Sequence, residues 1–272
     1  MPTGMADFAR YLAVADRSVY RMVGEYFGID ATFWSQFETR LAEFDVESAV
    51  DYASQFLDEK GYGDFQYELQ QIGVGLSTKL RAHFADWVRS LIVPQPADVL
   101  QLLAIDPEAR FLSFNYTATL EQLYRVPPQR ILHIHGFVGN PTEALVLGHG
   151  WERRPEDSLN FEPDGPDSDW RVRDGIEHLD AFFEATFKPT RQLIDKNAAF
   201  FHSLAEVDHV RILGHGLAEV DEPYLEAVID AVDVTRTRWT ISTYNDLDER
   251  RERFGAYRIA EHLVDYRPLT AC

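Results

Sequence analysis

Apolar residues recur at helical spacing through the first third of the chain and in short separate runs after it. Phe8, Leu12, Val19, Met22, Val23 and Tyr26 fall three, four or seven apart, with Arg10, Asp16, Arg17 and Glu25 between them, which predicts one amphipathic helix from Met5. A second helix is expected to begin near Asp30 or Thr32, either of which can cap it. It would run through Trp34, Phe37, Leu41, Phe44 and Phe56 until Gly61 and Gly63. A third would run from Phe65 through Leu69, Ile72, Leu76, Leu80, Phe84, Trp87 and Leu91 to Pro94 and Pro96, with Gly73 and Gly75 weakening its middle. These aromatic stripes read as surfaces on which helices pack.

After Pro96 the pattern changes to short apolar runs alternating with helical ones, as in a mostly parallel sheet. Strands are expected near 110–115, 130–135, 144–148, 209–213 and 237–243, and helices near 117–124, 176–205, 221–232 and 246–263. Pro189 lies inside the longest helical run and predicts a kink or two consecutive helices. The organisation expected is an N-terminal helical segment over 1–96, packed on or inserted into an α/β nucleotide-binding-like core over 97–272. An acidic excursion rich in Pro and Gly covers 151–175, either as a solvated loop or as a lid.

Three predicted strands end in polar or Gly-rich tips: Asn115-Tyr116-Thr117, His135-Gly136 and Gly214-His215-Gly216. In an open α/β sheet, ligands bind outside the carboxyl ends of the parallel strands, where helix N-termini point their N–H groups. The tips therefore predict one site. Strand alternation would put His133 and His135 on one face, where with His149, or with His215 and Asp221, they could ligate a metal. The plainer reading makes His133 a hydrogen-bonded core residue and leaves His135, at a strand end before glycine, as a general acid or base. Asn115 is either the cap of a helix starting near Thr117 or a ligand contact. Gly214 to Leu217, followed by Asp221 at a helix start, forms a turn that lets backbone approach a ligand.

Composition removes several classes of function. A net charge of -19 without a basic run argues against a nucleic-acid partner, leaving Arg110, Arg130 and Arg211 as possible local donors to an anionic dinucleotide. Cys272 is the only cysteine, so the chain has no internal disulfide and no thiolate zinc site. No apolar run approaches the roughly 20 residues that span a bilayer, and the first residues lack the pattern of a signal peptide. A cytoplasmic protein without a membrane partner is expected, and a homo-oligomer stays open because apolar helix faces serve monomers and assemblies alike.

In order, Phe114-Asn115-Tyr116-Thr117, His133-Ile134-His135-Gly136, Leu147-Gly148-His149 and Leu213-Gly214-His215-Gly216-Leu217 with Asp221 resemble the AbiH family of bacteriophage abortive-infection proteins. Trp34 with Phe37-Glu38, and Trp239 to Tyr244, fit the same family. The resemblance implies a role in phage defence, with a phage protein as one possible partner. A weaker likeness to the Rossmann-like, sirtuin-like NAD-binding fold implies that NAD is bound and cleaved at its nicotinamide–ribose bond. By that likeness Asn115 and His135 would be catalytic, while Thr117, Gly214, His215, Gly216, Leu217 and Asp221 would hold the nucleotide. Two departures weigh against deacylation: Thr117 stands where the sirtuin pattern has an acidic residue, and His215 where it has serine or threonine. The alternatives are a non-enzymatic sensor of a nucleotide or phage protein, and a metal-dependent phosphohydrolase. Similar chains usually open with an apolar strand and a Gly-Asn-Gly-Phe-Asp type turn, and only the later part of that pattern is matched by Met1-Pro2-Thr3 to Phe8. The expectation is that the natural start lies upstream, with a phosphate-binding turn that these residues lack.

Overall fold

The computed structural model describes residues 4–57, 63–140, 142–161 and 169–272. In chain order the helices are α1 (Met5–Ala15), α2 (Arg17–Tyr26), α3 (Phe37–Arg40), α4 (Val46–Ser54), α5 (Asp64–Val74), α6 (Leu80–Ser90), α7 (Thr119–Leu123), α8 (Trp170–Thr186), α9 (Thr190–Lys196), α10 (Ala198–His202), α11 (Glu222–Ala231) and α12 (Leu247–Gly255). The strands are β1 (Phe111–Ser113), β2 (Ile131–His133), β3 (His209–Ile212), β4 (Arg238–Thr243) and β5 (Val264–Pro268). The chain divides into two compact units, Met1–Ile92 with Asn140–Lys188, and Val93–Gly139 with Pro189–Cys272.

The first unit is helical, and local capping decides where its helices break. The single helix expected from Met5 is two, because Asp16 takes an extended conformation and its carboxylate accepts the N–H groups of Ser18 and Val19, both at 3.0 Å. A cap of this kind outweighs one more turn of continuous helix. The second expected helix likewise resolves into α3 and α4, with one 3-10 turn before α3 and one between the two. Asp30 organises its start by accepting from Thr32 and Phe33, both at 2.8 Å, and Asp45 caps α4 through Ser48 at 2.9 Å. The third keeps its length as α5 and α6, with a π-helical turn at Gly75–Lys79. Its glycines are explained by close packing: a Cβ on Gly73 would lie 2.7 Å from the His178 carbonyl oxygen, and one on Gly75 2.8 Å from Met22 Sδ. Phe8, Phe37, Phe65 and Phe84 are buried, so the aromatic stripes do pack helices together.

Residues 144–148 form no strand. His149 instead makes a single parallel bridge to Phe187: its N–H donates to Thr186 at 2.9 Å and its carbonyl accepts from Lys188 at 2.9 Å. Gly148 is needed there, because a Cβ would sit 1.9 Å from the Thr186 carbonyl oxygen. In the acidic stretch, residues 162–168 lie outside the described residues, and α8 begins at Trp170.

The second unit carries the strands. β1 pairs parallel with β2 in the register Leu112 to Leu132, while β3, β4 and β5 form a separate parallel sheet with Ile212 opposite Ile241 and Ile241 opposite Tyr266. The one sheet expected from the sequence is therefore two, although Leu112 of β1 packs on the same apolar cluster as Val210 and Ile212 of β3. That cluster centres on Trp239, Ile241, Phe201 and Phe254. The last expected helix stops at Gly255, and β5 follows, with Val264 and Tyr266 alternating with Asp265 and Arg267. The long run at 176–205 breaks around Pro189 into α8, α9 and α10. The result is a mixed α/β protein with short parallel sheets and many helices. No described helix is long and apolar enough to cross a membrane.

Candidate active site

The site is built from the carboxyl ends of β1, β2 and β3 in the second unit. Beyond β1, the buried Ser113 Oγ accepts the Asn115 N–H at 3.3 Å, and the Asn115 side chain is exposed. Asn115 is not a helix cap: α7 starts at Thr119 with Ala118 in the cap position. Thr117 Oγ1 lies 2.9 Å from Thr119 Oγ1.

β2 ends at His133, and the chain then turns, with the Gly136 N–H donating to the His133 carbonyl at 3.1 Å and Gly136 at φ 89. Alternation therefore stops before His135, and the two histidines have separate partners. The ring of His133 reaches the Asn115 carbonyl and the Glu121 carboxylate, each at 2.9 Å. His135 is 3% exposed among Phe114, Tyr116 and Tyr224, with centroids 5.3, 6.2 and 5.4 Å away.

Asp221 joins two of the tips. Its Oδ1 lies 3.6 Å from His135 Nε2 and its Oδ2 3.2 Å from His215 Nε2. His215 Nδ1 accepts the Leu217 N–H at 3.0 Å, so that nitrogen is unprotonated and the hydrogen sits on Nε2, which donates to Asp221. Asp221 occupies the cap position of α11 yet makes no capping hydrogen bond. A residue well suited to capping has its carboxylate turned toward two imidazoles, forgoing about 1 kcal/mol.

The Gly214-to-Leu217 turn is held from two sides. The Gly214 N–H donates to Ser242 Oγ at 2.8 Å, and the carbonyl of His215 accepts from Arg250. Arg253 donates to the carbonyls of Gly216 and Leu217 at 3.1 and 3.0 Å. Gly214 and Leu217 both take positive φ, at 66 and 51, and for Leu217 that conformation costs of order 1 kcal/mol. Of the arginines singled out from the sequence, Arg130 pairs with Glu108 and Arg211 donates to the Ala104 carbonyl. Glu121, Ser242, Arg250 and Arg253 escape the sequence reading. The two arginines stand three apart in the helix after β4, which is a position strand-end reasoning singles out.

Among the described residues, no group of three or more His, Cys, Asp or Glu is arranged so that it could hold a metal ion. Both ring nitrogens of His133 are engaged, and His149 belongs to the helical unit, with its ring against Trp151, Phe183 and Phe187. Burial pulls the His149 pKa down from 6.5 to about 4, and Arg153 adds to the effect. The unfolded chain thus takes up this proton first as pH falls. The stability from a neutral His149 is complete above about pH 6.5 and lost toward about pH 4, amounting to about 3 kcal/mol. Urea unfolding across that range should show the loss, and His149→Phe should remove it; an unchanged slope in the variant would refute the assignment.

Residues 1–243 match the family model described as bacteriophage abortive infection AbiH, a span that takes in every strand-tip residue named above. Neither a curated protein nor a solved structure matches the chain. The motifs and the family match agree, and the chain belongs to the AbiH family of bacteriophage abortive-infection proteins.

Proposed function

We propose that this chain is an antiphage effector that binds NAD at its strand ends, in a Rossmann-like arrangement, and hydrolyses the nicotinamide–ribose bond. The observation that carries the reading is the Asp221 carboxylate between His135 and His215 at the ends of parallel strands. In this scheme the bond to the pyridinium nitrogen breaks first, its electron pair leaves with neutral nicotinamide, and an oxocarbenium-like ribose remains. His135 takes a proton from the water that adds to this carbon, and Asp221 stabilises the resulting imidazolium. Asn115 orients the water or the ribose, with Thr117 beside it. Gly214 and Leu217 already donate their N–H groups to Ser242 and His215, so the turn serves the diphosphate through His215 and Gly216. The products are ADP-ribose and nicotinamide, and NAD depletion would be the defensive act, carried out in the cytoplasm.

The same commitment of two turn N–H groups favours a second reading, a sensor that holds a nucleotide without cleaving it. Incubating the purified protein with NAD and following nicotinamide by chromatography separates the two. Release that His135→Ala and Asn115→Ala abolish, together with phage protection in cells, supports the enzyme; saturable binding without release supports the sensor. Protection and NAD consumption that survive both substitutions would overturn the catalytic assignment.

A further inference from the structure

We infer that Glu121 and His133 form an ionised positioning pair that fixes the Asn115 turn, with the His133 ring doubly protonated. His133 Nδ1 lies 2.9 Å from the Asn115 carbonyl oxygen and Nε2 lies 2.9 Å from Glu121 Oε1. A carbonyl oxygen only accepts, and so does an ionised carboxylate. A neutral imidazole has a single N–H, so one of its nitrogens would face an oxygen lone pair to lone pair. Both contacts are satisfied only when the pair holds two hydrogens, one along each contact. With the second hydrogen on the ring, both contacts become charge-assisted, the stronger of the two arrangements.

The surroundings agree with a charged ring. The second oxygen of Glu121 is buried without a hydrogen-bond partner, so the carboxylate depends on the imidazolium for compensation. Phe137 stacks on the His133 ring, with ring centroids 4.7 Å apart and planes at 23°, which suits a cation over an aromatic face. The effect reaches the strand end. The Asn115 carbonyl is held by a charge-assisted bond and its N–H by Ser113 Oγ, so the peptide units before and after Asn115 are both fixed while the residue stays exposed. His133 is thus a positioning residue acting through Asn115. That role rests on Asn115 contacting the ligand; the charge state does not.

The test is nitrogen NMR of the imidazoles in the full chain at neutral pH, with amide exchange and NAD titration. In the wild type both His133 nitrogens should carry hydrogen. Glu121→Gln should give a neutral ring protonated at Nδ1 only, because the glutamine amide can turn its NH2 toward Nε2 while the Asn115 bond survives. His133→Phe, which keeps the stack on Phe137, should speed exchange of the amides from Asn115 to Thr117 and weaken NAD binding roughly tenfold. A singly protonated His133 in the wild type, or unchanged amides in His133→Phe, would overturn the inference. If the wild type binds no NAD, the proposed function fails, while nitrogen shifts and amide exchange still decide the pair.

Discussion

Asp221→Asn is expected to leave the fold intact and to lower nicotinamide release by at least about a hundredfold, as changes that reverse a catalytic histidine's tautomer do. The hydrogen-bond pattern explains why so small a change should matter. The Leu217 N–H fixes the His215 tautomer, so Nε2 donates to one oxygen of Asp221 while the other faces His135 Nε2. An asparagine that still accepts from His215 must turn its NH2 toward His135. The nitrogen facing residue 221 then has to accept, and the imidazolium that forms when His135 takes a proton has lost its counter-charge. The cost to stability is small, about 0.3 to 1 kcal/mol for a charge at a helix N-terminus. Turnover and melting temperature measured on one preparation give the check, and wild-type turnover in the variant would exclude a role for Asp221 in catalysis.

The polar strand tips were more legible in the sequence than the partners the fold gives them. Asn115, His135 and His215 stand out because each lies just after an apolar run, and Asp221 because it opens the helix after the Gly214 turn; a strand end is readable from local pattern. Harder to read is anything that depends on a partner distant in sequence. Glu121 looks like one polar residue of a short amphipathic helix, and only the turn of the chain after His133 gives it meaning. The face shared by His133 and His135 fails for a related reason, since alternation predicts directions only while the strand lasts, and β2 has three residues. Helix breaks at Asp16 and Asp45 were available as capping signals, but a long apolar period masked them. β5 lies beyond the last expected helix and escapes the sequence reading, because Val264 and Tyr266 provide only two apolar positions. One sheet became two because pairing is not encoded in any single strand.

The largest stability effect is expected at the ion pair between Glu38 of α3 and Lys188, which follows α8. The lysine side chain is fully buried and Glu38 is 25% exposed. Glu38→Ala takes this carboxylate from an ammonium that cannot reach water, which should cost about 3 to 5 kcal/mol. Lys188→Met should cost less, because Glu38 can still be hydrated. The double variant Glu38→Leu, Lys188→Met should recover much of the loss, since two apolar side chains replace a pair whose desolvation was never free. Denaturant unfolding of the wild type, both single variants and the double variant gives the coupling, and strict additivity would refute it. The pair also divides the residues that carry the family resemblance. Lys188 donates its backbone N–H to the carbonyl of His149 and its side chain to Glu38, so Leu147-Gly148-His149 and Trp34 with Phe37-Glu38 meet at one lysine within the helical unit. Asn115, His135 and Asp221 lie in the other unit. If the cycle shows strong coupling, the first set serves packing and charge burial, and the chemistry is left to the strand ends.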